Sequence, residues 1–196
     1  LTLRDSVVSG NTAYGTVAPY GANGGGIYTG GDARLYDSVV TGNRAISTGD
    51  ARAMGGGIHT IGELYSKNSV FAGNSVVAEN GIARGGGMFG HGGAAVKYGS
   101  VLGNEVQSVS NTAYGGGIHS DGSVLALAST ISGNTAHSAE EWSYGGGIQA
   151  GEYFGYAGPG NITLMSSTLS GNTVSSGCDC FIQGGGANAF GNIGAK

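Results

Sequence analysis

The chain has 196 residues, of which 43 are Gly, only 2 are Pro and 10% are charged, with a net charge of -4. Glycine this abundant without a strict three-residue period excludes collagen, and recurring Val, Leu and Ile positions argue against a disordered chain. The acidic balance gives no reason to expect nucleic acid, and no apolar run reaches the roughly 18–20 residues of a membrane span, so membrane insertion is not expected.

Two phrases recur six times. Ser-Gly-Asn-Thr at Ser9–Thr12 has near-copies from Thr41, Ala72, Leu102, Ser132 and Ser170. Gly-Gly-Gly-Ile at Gly24–Ile27 returns from Gly55, Gly115 and Gly145, and with Met88 or Ala187 in place of the Ile from Gly85 and Gly184, the triplets spaced by 31, 30, 30, 30 and 39 residues. A fixed period of this size is the mark of stacked repeats, each resting on its neighbours, so residues 1–196 read as one elongated domain. The chain opens on Leu1, inside a repeat, and has no basic segment leading into an apolar run, so it reads as a mature or excised piece of something longer.

Each repeat starts on a segment that alternates with period two, which is strand logic. Leu1 and Leu3 point inward and Thr2 and Arg4 outward; the inward set continues as Ala33 and Leu35, Ala94 and Val96, Val124 and Ala126. The aligned Asn residues (Asn11, Asn43, Asn74, Asn104, Asn134, Asn172) suit a corner, where Asn tolerates the left-handed region, and stacked in register their amides would form a ladder. A variable stretch of about a dozen residues follows, read as loop. The Gly triplet then suits a corner needing φ > 0 and close backbone approach. After it comes a second short strand: Ile27–Thr29, Ile58–Thr60, Met88–Gly90, Ile118–Ser120, Ile148–Ala150.

With no helical period anywhere, this pattern predicts an all-β, right-handed parallel β-helix of about six rungs of ~30 residues, stacked at about 4.8 Å into a rod of roughly 25–30 Å. A β-propeller is the rival, but its blades need about 40–50 residues. Repeat five carries an insertion across residues 149–161 whose aromatics Tyr153, Phe154 and Tyr156 offer either a contact surface or a flap over neighbouring rungs. Cys178 and Cys180 flank a single residue. A bridge there closes a small ring that geometry disfavours, so a free or loosely paired thiol couple is the first expectation, a local disulfide the second, and a metal or redox role the last.

The motifs Ser-Gly-Asn-Thr-Ala (Ser9–Ala13, Ser132–Ala136) and Gly-Gly-Gly-Ile span essentially the whole chain. They resemble bacterial secreted parallel β-helix repeat proteins and, more distantly, the passenger domains of polymorphic outer-membrane autotransporters. That resemblance implies an extracellular or cell-surface location and a role in adhesion or glycan contact. It supplies no catalytic motif, because the shared residues are corners.

On such a rod, chemistry belongs on outward columns and loops. The outward face of the strand after the Gly corner reads Tyr28, His59, Phe89, His119, Gln149, Asn188, with Ile61, His91, Asp121 and Phe190 two positions on. His91 and Asp121 are lateral neighbours there and His119 lies on the same side, so a carboxylate-oriented imidazole suits acid–base catalysis. His91, His119 and Asp121 also have the makings of a divalent-metal site, and a solvated polar and aromatic ladder is the ordinary alternative. Ser120 points inward, which removes it as a nucleophile. On the first strand, Arg4, Arg34, Tyr36, Tyr65, Lys67 and Lys97 line up as cations spaced among tyrosines, suited to an acidic glycan; the stripe turns apolar at Leu125, Leu127 and Met165. The loop acids Asp50, Glu79, Glu140 and Glu141 could furnish a glycosidase pair. The Thr12 column, broken by Arg44 and Glu105, is too irregular for an ice-binding face.

The expectation is therefore a secreted or cell-surface β-helix recognising polysaccharide, glycan or another surface. The alternative is a carbohydrate-active hydrolase or lyase on the same scaffold. No cofactor is expected, no metal is assigned, and end-to-end or face-to-face self-association is open to the exposed edges.

Overall fold

The structure, a computed structural model, describes residues 1–16, 18, 21–151 and 158–196. The aromatic trio Tyr153, Phe154 and Tyr156 of the insertion lies outside them. Among the described residues there is no helix; five parallel sheets run the length of a β-helix of about six turns. Turn three shows the pattern. Sheet A takes Leu64–Lys67, sheet B Val70–Ala72, sheet C Ser75–Ala78, sheet D Ala83–Arg84 and sheet E Met88–Gly90. Each strand pairs with its own copy one turn away, Tyr65 lying between Arg34 and Ala95.

Sheets C and D replace the dozen-residue loop expected after each Asn. Their inward residues are small, Ala45 and Ser47, Val76 and Ala78, Val106 and Ser108, and all are buried. A narrow lobe needs small residues, and Ala and Ser carry little strand signal, so the alternation is easily read as loop. Each turn thus has two cores. Leu35, Val40, Ile58, Phe71, Met88, Ile118 and Ile131 fill the wide lobe between sheets A, B and E. Ala53, Val76, Ala83, Val106 and Ala113 fill the narrow one between C and D.

The two recurring phrases meet at the waist between these lobes. Each Asn amide donates to the Oδ1 of the next Asn at 2.9–3.0 Å, from Asn11 through Asn172, and that same oxygen also accepts the backbone N–H of the lower Asn. The second amide hydrogen reaches a carbonyl of the turn below, as from Asn104 to Phe71. The ladder is therefore built as expected, but the left-handed residue is not the Asn. Gly10, Gly42, Gly73, Gly103, Gly133 and Gly171, one position earlier, carry φ of 56–67°. Glycine takes that conformation without penalty and frees the Asn side chain to face its neighbours.

Opposite the ladder, Gly55, Gly85 and Gly115 have φ of 62–64°. The next two glycines of each triplet press on the ladder itself. A Cβ on Gly57 would stand 3.1 Å from the Asn74 amide and 2.5 Å from Gly87 O, and one on Gly56 would meet the backbone oxygens of Gly86 and Ser75. Only glycine lets the chain lie this close. The corner between sheets D and E is thereby drawn inward, so the outward faces of these two sheets turn towards each other.

Cys178 and Cys180 are joined as a disulfide with their Cα atoms 5.1 Å apart, which corrects the expectation of free thiols. The loop of turn six lets the chain double back enough to bring both Cα atoms within the ordinary bridging range.

Candidate functional site

The inward-drawn corner makes a cleft. From sheet E it receives Tyr28, His59, Phe89, His119, Gln149 and Asn188, in the register the sequence implied. From sheet D it receives Met54, Arg84, Tyr114, Tyr144 and Gln183. The rings interleave: Tyr114 meets His119 edge-on at 5.4 Å and stacks on Tyr144 at 5.2 Å, while the Arg84 guanidinium lies 5.5 Å from the Tyr114 ring and 5.9 Å from Phe89. His59, Phe89, His119 and Gln149 are consequently no more than 2% exposed. The expected solvated ladder is a sealed seam, because sheet D covers a face that points away from the core.

His91 and Asp121 do come together. Asp121 Oδ2 lies 2.7 Å from His91 Nδ1, and Oδ1 lies 3.1 Å from His119 Nε2. An ionised carboxylate accepts from both rings, which fixes each N–H towards it and leaves Nε2 of His91 as the basic nitrogen. The His91 side chain is 36% exposed, that of Asp121 9%, that of His119 0%. His91 alone of the three can meet a substrate; His119 holds Asp121 from behind. Burial pushes the Asp121 carboxyl up, but hydrogen bonds from His119 and His91 and the charge of Arg84 outweigh it, holding the group below the ordinary carboxylate range.

The buried imidazoles are kept neutral. Burial, helped by the proximity of His91, lowers His59 to about 3, and burial lowers His119 to about 4 against the opposing pull of Asp121. Burial also lowers the Arg84 guanidinium and raises the Tyr114 hydroxyl. Both ring nitrogens of His59 and Nδ1 of His119 are buried without a hydrogen-bond partner. Among the described residues no group of three or more His, Cys, Asp or Glu side chains is placed to hold a metal ion. Ser120 is buried and its hydroxyl donates to Gly92 O, as its inward direction requires.

The stripe on sheet A also assembles. Tyr36 and Tyr65 lie 5.8 Å apart, Arg4 sits 4.3 Å over Tyr36, and the Lys97 ammonium 5.2 Å from Tyr65. Lys67 is exposed between Tyr36 and Lys97. Arg34 is half-exposed and 3.7 Å from Asp32, which offsets part of its charge. Beyond Tyr65 the face dips into a shallow hollow of about 350 Å³ bordered by Glu63, Ala95, Leu125 and Thr163.

The loop acids are spread along the rod. Asp50, Glu79, Glu140 and Glu141 are exposed; Glu79 accepts from the backbone N–H of Gly49, and Asp50 from the amide of Asn80. A feature not read from the sequence is the pocket at the far end of the cleft, lined by Trp142, Tyr144, Phe181, Gln183 and Phe190. Its signal was there, since Trp142 with Tyr144 and Phe181 with Gln183 share the alternation of a strand. No helix of the described residues is long and apolar enough to cross a membrane. Comparison with family models, curated proteins and solved structures yields no match.

Proposed function

We propose that the chain is a secreted or cell-surface β-helix that recognises an acidic glycan through the outward face of sheet A. The observation that carries this reading is the contiguity of Arg4, Tyr36, Tyr65, Lys67 and Lys97 on one partly exposed sheet. Cations held over tyrosine rings keep donors free for carboxylate or sulfate, and the flat faces accept sugar rings. The Cys178–Cys180 disulfide supports an oxidising compartment. An array of acidic polysaccharides is the test. Binding is expected to weaken about tenfold or more when Arg34→Ala and Lys67→Ala are combined, since each charge-assisted bond contributes about 1.5–3 kcal/mol. Absence of binding, or binding untouched by the pair, contradicts the reading.

A second reading rests on the 2.7 Å contact between His91 and Asp121. An imidazole oriented by a buried carboxylate, with its far nitrogen towards solvent, is the arrangement of a general base, and a polysaccharide hydrolase or lyase on this scaffold would use it so. Chromogenic glycosides and acidic polysaccharides are then the substrates to screen. His91→Ala or Asp121→Ala is expected to lower the rate by roughly 10²–10⁴. Turnover that survives both changes rules out this pair and leaves Asp50, Glu79 and Glu140 as the acids to examine.

A further inference from the structure

The pocket at the C-terminal end of the cleft has a lining unlike the rest of the surface. Two adjacent strands of sheet D, Ser143–Tyr144 and Ile182–Gln183, each with the residue that leads into it, bring up two residues per turn: Trp142 and Tyr144 from turn five, Phe181 and Gln183 from turn six, with Tyr144 directly paired to Gln183. Strand alternation puts the members of each pair on one face, about 7 Å apart, and the strands lie about 4.8 Å apart. Phe190, from the turn after sheet E, closes the opposite wall, its ring 6.3 Å from Tyr144. Trp142 meets Tyr144 and Phe181 edge-on at 6.4 and 6.2 Å, so the rings present walls in more than one plane. The volume is about 250 Å³, below the usual range for a drug-sized ligand and suited to a single ring.

Among the described residues no charged side chain lines the space, and its polar groups are the Gln183 amide, the Tyr144 hydroxyl and the Trp142 indole N–H. A charged ligand would lose its hydration there without a counter-charge. A purely apolar one would leave the amide unanswered. The ligand that satisfies both is uncharged and ring-shaped, with C–H faces for the aromatic walls and a hydroxyl or acetamido edge for Gln183.

We infer that the Trp142–Tyr144–Phe181–Gln183–Phe190 pocket binds one neutral pyranose unit of a glycan. The inference rests on the glycan reading for its ligand class, but it uses a different surface from the cationic stripe, and the two fail separately. The pocket is a terminal-sugar site, while sheet A takes the charged portion of a chain.

Trp142 is the only tryptophan, so its fluorescence reports the site directly. The intact protein is titrated with methyl glycosides of glucose, galactose, mannose and N-acetylglucosamine, with glucuronate and p-cresol as charged and apolar controls. A saturable change is expected with at least one neutral glycoside, weakened roughly three- to tenfold by Phe181→Ala and also by Gln183→Ala, which keeps every ring. The combined Arg34→Ala, Lys67→Ala variant is expected to leave the titration unchanged, whatever it does on the polysaccharide array. No saturable change with any of the four overturns the inference. So does a curve that neither pocket variant changes from that of the parent protein, or a response to p-cresol without one to a glycoside.

Discussion

Gly86→Ala is expected to lower stability by more than about 4 kcal/mol, whereas Gly103→Ala, one corner away, is expected to lose only about 1–2 kcal/mol. The two glycines serve different ends. Gly103 has φ of +56° and nothing within 4 Å of the position a Cβ would take, so alanine meets only the left-handed backbone penalty. Gly86 carries no such φ, but a Cβ there would meet Gly116 O and stand 2.6 Å from Glu105 O and 2.7 Å from Glu105 N. All three are backbone atoms, Glu105 in a sheet C strand and Gly116 in the next glycine corner, and cannot turn aside. The waist would have to open and the Asn ladder beside it would part. Thermal melts followed by circular dichroism separate the cases: a fall of roughly 2–8 °C for Gly103→Ala, and well over 10 °C for Gly86→Ala. Equal shifts would mean that the second glycine of the triplet is not where the two lobes touch.

Acid is expected to destabilise the rod before its surface carboxylates are all protonated. His59 and His119, at about 3 and about 4, bind protons far more weakly when folded than at their ordinary 6.5 when unfolded. Below pH 6.5 the unfolded chain therefore takes up more protons, and stability falls as the pH drops towards 4. Each imidazole accounts for on the order of 3 kcal/mol over that interval. Asp121 acts in the same direction in its own window: its stabilising contribution is present above about pH 4 and is lost as the pH falls further. The melting temperature is expected to fall by more than about 10 °C between pH 7 and pH 4. His59→Phe keeps the ring contacts with Tyr28 and Phe89 and is expected to remove about half of that fall. A melting temperature unchanged over the interval would contradict a neutral, buried pair.

The repeat period, the Asn and Gly columns and the inward residues of sheets A and E were legible because side chains alternate visibly there between large apolar and polar. Strict lateral register follows from the period alone, which is why His91 and Asp121 could be placed side by side. Sheets C and D were not legible, since their inward Ala and Ser residues carry little hydrophobic signal. The fate of His59, Phe89 and Gln149 was hidden for another reason. A Gly triplet says that a Cβ does not fit, but not on which side the chain is crowded. Crowding against Asn74 and Ser75 draws the corner inward and closes sheet D over sheet E, and that depends on contacts made across the turn. The corner between sheets A and B shows the same limit. Asp5, Asp37 and Asn68 are natural left-handed residues, but Tyr98 and Ala128 take φ of 54° and 47° at the equivalent positions because the stack holds them there.

That closure of sheet D over the outward column of sheet E is what separates a seam sealed at His59, Phe89, His119 and Gln149 from an exposed ladder. Titration of the four histidines by imidazole NMR examines it residue by residue. His59 and His119 are expected to show no inflection above pH 5 for as long as the chain stays folded. Resonances of either ring moving between pH 6 and 7 in the folded protein would place that face in water and undo the cleft.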